Sequence, residues 1–217
     1  MLAVAVVAAA AAATALAAGE TIEASVGSDT FTKQNFNIDQ GTVATFSNPA
    51  GTDHNVNASG NGPDGKDLFR AKTIASGTTP VNGTQYLSQG KYHFVCTIHF
   101  GMEADLTVSG NGTPVARPDI EVKLLSRKLG KVVASRRIKV EVSARTQSDD
   151  VALLVRKGSR KLGSKQGIDL AAGAERTLKL HLTSAGRNAI DDLGKAKVKL
   201  TGSVPFGAPD SAKRTLR

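Results

Sequence analysis

With 217 residues, the chain is long enough to form two domains of ordinary size. Its single cysteine excludes an intrachain disulfide, and it has no tryptophan. The formal charge of +9 is unevenly divided: residues 19–110 contain five Lys and Arg against nine Asp and Glu, whereas residues 119–217 contain 22 against ten. Net charges of −4 and +12 on the two parts indicate two domains rather than one.

The N-terminal segment is almost entirely apolar and rich in alanine. Small residues at Ala15, Ala17 and Ala18 suit a cleavage site, so we interpret residues 1–18 as a secretory signal peptide. The protein is then expected to be exported, to the periplasm, the cell surface or the extracellular space. A retained membrane anchor is the alternative, although a membrane span takes roughly 20 apolar residues and stronger hydrophobes than alanine.

Short runs of alternating apolar and polar residues follow, separated by turns rich in Gly, Asn, Asp and Pro. Such runs are typical of β-strands. In the strand that ends at Cys96, the side chains of Tyr92 and Phe94 are expected on the same face as the thiol, and His93 on the opposite face. The main predicted strands are Gly41–Asn48, Asn55–Ala58, Lys91–Cys96 and Ala104–Val108.

A change of composition divides the chain after this region. Residues 110–118 are rich in Gly and Pro and are predicted to be a linker. Beyond them, five runs alternate aliphatic with charged residues, as strands with one buried face do. They favour a small, basic, immunoglobulin-like β-sandwich over residues 119–217. These runs are Ile120–Leu125, Arg137–Val142, Val151–Val155, Thr177–Leu182 and Ala196–Leu200. A helix is predicted over Ser184–Leu193, with Ser184 as its N-cap.

The most informative stretch of the sequence is Tyr92–Met102, in which a strand carries Cys96 and a tight loop then brings His99 and Met102. Thiolate, imidazole and thioether are soft or borderline donors, and together they suit copper. A type 1 copper site takes two imidazoles and one thiolate, with a weak axial thioether. The second imidazole must therefore come from elsewhere in the chain, and His54 is the best candidate.

Two separated segments, Phe46–Asn55 and Gly90–Met102, resemble the cupredoxins of the plastocyanin and amicyanin group. The resemblance covers roughly residues 20–109, and the Cys-x2-His-x2-Met spacing is that of the short ligand loop in amicyanin. It implies a Greek-key β-sandwich over residues 19–109. With the immunoglobulin-like sandwich predicted from the strand pattern of residues 119–217, the chain is expected to be all-β. It also implies one type 1 copper ion as cofactor.

The resemblance assigns the ligands of this copper ion. By it, His54, Cys96 and His99 are the three equatorial ligands, and Met102 is the axial ligand. Four protein ligands leave no open position for a substrate, which favours an electron carrier and not an enzyme.

Further residues match positions around the ligands in the same family. Asn55 and Thr97 match positions that tie the two ligand loops together, and such bonds orient the ligands. Phe100 and Pro49 are expected beside His99, in an apolar patch through which electrons enter.

Alternatives remain open for the site and for the function. Methionine is a poor zinc ligand, which disfavours a structural zinc site. A cysteine nucleophile with a histidine base, and a buried cysteine with unrelated histidines, are the other interpretations. The leading functional hypothesis is an exported blue copper protein that carries single electrons between redox proteins. Copper delivery, or adhesion through the basic domain, is the alternative.

The basic residues of the second part allow two interpretations. They keep a small sandwich soluble, or they attach residues 119–217 to an anionic cell-envelope polymer or lipid surface. Nucleic acid is disfavoured as a partner, because Phe206 is the only aromatic residue after residue 110 and bases would have nothing to stack on.

Overall fold

The computed structural model describes residues 19–191 and 193–217, and its strands enclose two separate hydrophobic cores. We call residues 19–112 the first sandwich and residues 119–217 the second sandwich. The all-β fold predicted from the sequence is confirmed. The signal peptide predicted over residues 1–18 lies outside the described residues. Among the described residues, no helix has the length and apolar character needed to cross a membrane.

The first sandwich packs a three-stranded sheet, in the order β1-β3-β6, against a five-stranded sheet, in the order β2-β8-β7-β4-β5. Two pairs of strands, β1 with β3 and β2 with β8, run parallel, and the other pairs are antiparallel. The strands are β1 (Thr21–Glu23), β2 (Asn35–Gln40), β3 (Ala44–Asn48), β4 (His54–Ala58), β5 (Arg70–Ile74), β6 (Gly77–Val81), β7 (Gly90–Val95) and β8 (Glu103–Gly112).

Four phenylalanines form the centre of the first core. Phe94 lies on β7, two residues before Cys96, and its ring contacts those of Phe31, Phe36 and Phe69 at centroid distances of 4.9, 6.1 and 6.1 Å. All four rings are buried. Because aromatic side chains contribute the largest buried areas in a small core, this cluster fixes the strand that carries the cysteine.

The first sandwich differs from the prediction at two places. Strand β6 was not predicted. It contains Pro80 and lies at the edge of its sheet, where a missing N–H is tolerated. At the other end, β8 continues to Gly112, three residues beyond Ser109, so the first part of the predicted linker is strand. Gly112 has a φ of 84° and pairs with Gln40.

The second sandwich packs a three-stranded sheet, in the order β13-β10-β9, against a four-stranded sheet, in the order β12-β11-β14-β15, with all pairs antiparallel. Seven strands in two sheets are the number expected of an immunoglobulin-like sandwich. The strands are β9 (Ile120–Leu124), β10 (Arg137–Ala144), β11 (Ser148–Lys157), β12 (Arg160–Leu170), β13 (Glu175–His181), β14 (Ala196–Ser203) and β15 (Asp210–Leu216).

Two short helices complete this sandwich, α1 (Leu129–Ser135) and α2 (Ser184–Asn188). Helix α1 was not predicted. Helix α2 was predicted with Ser184 as N-cap and an end near Leu193, which is wrong at both ends. Thr183 is the N-cap, because its backbone is extended and its hydroxyl accepts a hydrogen bond from the Gly186 N–H at 2.9 Å.

The two sandwiches meet at Phe206, which is buried against the first sandwich. The Arg70 guanidinium lies 4.2 Å from the centre of the Phe206 ring, and the Tyr86 ring is 5.9 Å away. The Phe206 N–H donates to the Asp64 carboxylate at 3.1 Å, and Arg117 donates to the Phe206 carbonyl at 3.3 Å. Phe206 has a φ of 63°, which is rare for a bulky residue, so these contacts outweigh a local backbone strain.

Candidate metal centre

The ligand loop begins where β7 ends. Cys96 follows the last residue of the strand, and its N–H donates to the Met102 carbonyl at 2.9 Å, which closes the loop. The Met102 N–H donates in turn to the His99 carbonyl at 3.4 Å. Gly101 makes this turn possible, because its φ of 78° lies in the left-handed region. The loop thus brings the thiol and the thioether, both buried, to one end of the sandwich.

A second loop delivers His54 to the same end. Asn48 is buried at the end of β3, and its amide donates to the carbonyls of Thr52 and Ile74, each at 2.7 Å. These bonds hold the loop that leads to His54, whose side chain is completely buried at the start of β4. His54 Nε2 and Thr52 Oγ1 are 3.0 Å apart. An imidazole that donates from Nε2 to Thr52 keeps the lone pair of Nδ1 free toward the thiol.

Three donor atoms converge between these loops. The Cys96 Sγ atom lies 3.9 Å from His54 Nδ1 and 3.7 Å from His99 Nδ1, and the two Nδ1 atoms are 3.0 Å apart. From these distances, the point equidistant from all three lies about 2.1 Å from each atom, close to the lengths of metal–nitrogen and metal–sulfur bonds. The three residues are the only described His, Cys, Asp and Glu side chains that converge in this way.

The electrostatics of the cluster favour a neutral imidazole at His54. Burial lowers the pKa of His54 below its ordinary value, and the neighbouring His99 lowers it further, while Asp29 and Asp53 act in the opposite direction. A neutral imidazole is the form that binds a metal. The cluster therefore combines two ring nitrogens and a sulfur atom, with His54 and Cys96 buried and the His99 side chain 23% exposed.

Asn55 ties the two loops together. Its amide donates to Thr97 Oγ1 at 2.9 Å and to Thr73 Oγ1 at 3.2 Å, and its Oδ1 accepts from the Thr97 N–H at 2.9 Å. The same oxygen also accepts a bond from Asn57 at 2.9 Å. Asn55 and Thr97, predicted to lie next to the ligands, are thus bonded to each other by two hydrogen bonds.

The remaining predicted residues lie at the surface. Phe100 is fully exposed, Ile98 beside it is 46% exposed, and Pro49 is exposed on the other loop. His93 is on the outer face of β7, where it contacts Asp105 at 3.1 Å and Glu103 at 3.5 Å, away from the cluster. His181 is exposed on β13 of the second sandwich.

Sequence reasoning missed two residues that contact the cluster. Thr52, two positions before His54, was treated only as part of a loop. Asp29 places a carboxylate oxygen 3.6 Å from His99 Nε2. It is 70 positions away in the sequence and lies in a turn after β1, so no local pattern connects it with the site.

Comparison with known proteins identifies the family of this region. Residues 18–109 match the family described as copper binding proteins, plastocyanin/azurin family. No curated protein matches the chain.

Solved cupredoxin structures are similar to part of the chain. A purple cupredoxin from Nitrosopumilus maritimus is 22% identical over 41% of this chain and 98% of its own, with a TM-score of 0.35. A copper(I) form of an amicyanin mutant is 15% identical over 42% of this chain and 82% of its own, with a TM-score of 0.35. A reduced amicyanin mutant is 18% identical over 46% of this chain and 90% of its own, with a TM-score of 0.33.

The chemistry of the cluster agrees with the family match. Two imidazoles, one thiolate and a nearby thioether are the donor set of a type 1 copper site, and His54, Cys96, His99 and Met102 supply it. Residues 18–109 are therefore a cupredoxin domain that matches the plastocyanin/azurin family of copper-binding proteins.

Proposed function

We propose that this protein is an exported blue copper protein that carries single electrons between redox proteins. His54, Cys96 and His99 would hold the copper ion, and Met102 would be a further, weakly bound ligand. The observation that carries the proposal is the convergence of His54 Nδ1, Cys96 Sγ and His99 Nδ1 within 4.8 Å of one another. When bound, copper supplies a one-electron couple between its two oxidation states.

The protein's contribution is a rigid donor set. The ligand loop and the start of β4 are joined by the two hydrogen bonds between Asn55 and Thr97, and the backbone bond from Cys96 to Met102 closes the loop. A fixed geometry lets the metal gain or lose an electron with little movement of its ligands. Tight enclosure also leaves no open position for a substrate, which supports an electron carrier and not an enzyme.

Burial favours electron transfer over copper delivery. His54 and Met102 are 0% and 1% exposed, so a competing ligand would reach the metal only after the loops open. A delivery protein must hand over its metal readily, whereas an electron carrier must keep it through many cycles.

We place the electron route at His99. Its side chain is 23% exposed, its chain neighbours Ile98 and Phe100 are exposed and apolar, and Pro49 is exposed on the loop that leads to His54. A partner redox protein would dock on this patch through transient, largely apolar contacts.

Export and the division of the chain are part of the same proposal. We infer a cleaved signal over residues 1–18, a copper domain that ends with β8 at Gly112, a short linker over residues 113–118 and a basic module over residues 119–217. A lone thiol in an oxidising compartment is prone to oxidation, and copper ligation gives Cys96 a protected role there.

Addition of copper(II) to the copper-free protein tests the function. We expect an intense blue or purple absorption at one equivalent, loss of the colour on reduction and its full return on reoxidation. The copper should resist a chelator for hours. A colourless complex would contradict the type 1 site, and rapid transfer of copper to the chelator would favour delivery.

Replacement of Asp29 is expected to change the reduction potential. The Asp29 carboxylate beside His99 stabilises the more positive oxidised copper, so Asp29→Asn should raise the potential. The shift should be on the order of 20–40 mV, because the side chain is exposed and its charge is screened almost as in water. Protein-film voltammetry measures it.

Asp39→Asn is the matched control for this measurement. Asp39 bonds Ser109 near the opposite end of the first sandwich, so its replacement should leave the potential within a few millivolts. A potential unchanged in Asp29→Asn, or shifted equally in both variants, would contradict the role of Asp29.

A further inference from the structure

The second sandwich is electrically polarised along its strands. Acidic residues gather at the end that joins the linker, where β9, β11 and β15 begin and β12 ends: Asp119, Asp149, Asp150, Asp169 and Asp210. The opposite end, where α1 and the chain terminus meet, is dominated by lysine and arginine. Runs of basic residues, such as those within residues 123–139 and 156–165, are visible in the sequence, but only the fold shows that they lie at one end.

Three clefts follow one another around the basic end, and we call them together the basic groove. The first lies on the outer face of the three-stranded sheet, beside α1, and the second lies at the tip; they share Arg127 and Lys128. The third lies on the four-stranded sheet and shares Arg214 and Thr215 with the second. The groove therefore runs from the outer face of one sheet, over the tip, to the outer face of the other sheet.

The groove places like charges directly opposite each other. On the first face, Lys139 of β10 pairs in register with Lys179 of β13. On the second face, one row crosses all four strands: Lys161, Arg156, Lys199 and Lys213. The last three of these residues line the groove. Like charges in direct cross-strand pairs destabilise a sheet, so the fold alone gives no reason for this arrangement.

The groove cations have no acidic partner in the described part of the chain. The ion pairs described for the second sandwich use Lys123, Arg145 and Arg187, and none of these lines the groove. An external anion would therefore find a row of uncompensated charges, and its binding would relieve their repulsion.

The shape and chemistry of the groove select the kind of anion. A groove that bends over a tip fits a flexible chain better than a planar membrane. Cations on neighbouring strands recur about every 4.8 Å, which resembles the spacing of charges in a polymer with one acidic group on each sugar. Next to the cation row lies a row with three hydroxyl side chains, Ser164, Thr201 and Ser211, which can bond to sugar hydroxyls.

We propose that the basic groove of the second sandwich binds an acidic polysaccharide, which wraps over the tip and contacts both sheets. Such binding would hold the copper domain near the polymer while the patch around His99 stays on the other sandwich. The proposal does not depend on copper. It is therefore tested on the full chain both with copper and as the copper-free Cys96→Ser variant, so that failure of one proposal is distinguishable from failure of the other.

The probe is polygalacturonate, measured by calorimetry at low salt. We expect binding that weakens as salt is raised, and long chains that bind more tightly than oligomers too short to pass the tip. Lys139→Gln on one face and Lys199→Gln on the other should each weaken binding of the long chain roughly five-fold. In the double variant, the affinity for the long chain should fall by the product of the two single-variant factors.

The matched control is Arg176→Gln, which removes one exposed charge from the linker end of the same sandwich. It should leave the affinity within two-fold. Equal losses in all three variants would show that only net charge matters and would overturn the proposal. So would tight binding to phosphatidylglycerol vesicles without binding to polygalacturonate, since a membrane would then be the partner.

Discussion

The Cys96→Ser variant is expected to lose all the intense visible absorption that copper(II) gives in the intact protein. This absorption arises from charge transfer between a thiolate and copper, and Cys96 is the only cysteine in the chain. A serine hydroxyl stays protonated at neutral pH and is a hard donor, so it does not replace the sulfur. Absorption spectra of both proteins after addition of one equivalent of copper(II) measure the effect.

His93→Ala is the control for this substitution. His93 lies on the same strand but faces outward, against Asp105 and Glu103, so this variant should keep the full absorption. Far-UV circular dichroism should be the same in all three proteins, because neither substitution removes much buried volume. Retention of the colour in Cys96→Ser, or its loss in His93→Ala, would contradict the assignment of the thiolate.

The Asn55→Ala variant is expected to lose about 2–4 kcal/mol in the free energy of unfolding of the first sandwich. The Asn55 side chain takes part in four hydrogen bonds, two of them to Thr97. Its removal leaves several partly buried polar groups without a partner, and each such group costs about 1–3 kcal/mol. The ligand loop would also lose its tie to β4, so copper should be released to a chelator faster.

Urea unfolding of the copper-free protein, followed by tyrosine fluorescence, isolates this effect. Both tyrosines, Tyr86 and Tyr92, belong to the first sandwich, so the signal follows its unfolding; Tyr86 also responds to loss of the contact with Phe206. Asn37→Ala is the matched control, because Asn37 is exposed on β2 and its backbone N–H, which bonds the Glu20 carboxylate, is kept in the variant. A loss below 0.5 kcal/mol in Asn55→Ala, or an equal loss in both variants, would show that Asn55 does not tie the loops.

The strand pattern made most of the fold predictable. Runs with a period of two, such as Arg137–Val142, alternate buried and exposed in the structure because one face of each sheet covers a core. The errors lie where another interaction outweighs the pattern. Pro80 stands in a strand because the strand is an edge, and Thr183 replaces Ser184 as the N-cap because its own backbone is extended.

The candidate site was partly predictable for a different reason. Cys96, His99 and Met102 are close in sequence, so a single loop must bring them near one another, and the pairing of β4 with β7 brings His54 to the same place. Thr52, Thr73 and Asp29 could not be found in this way. Their contacts depend on how separate turns pack, and neither spacing nor composition records that packing.

The sequence by itself determined that a thiolate, two imidazoles and a thioether were available on two strand-flanking loops, because alternation and spacing are local properties of the chain. It also determined the excess of positive charge in the second half. Only the tertiary structure decided that Phe206 of the second sandwich packs against Arg70 and Tyr86 of the first. It also decided that the cations of the second sandwich lie along one groove. The physical reason is that both features depend on strand register and on contacts between residues far apart in sequence.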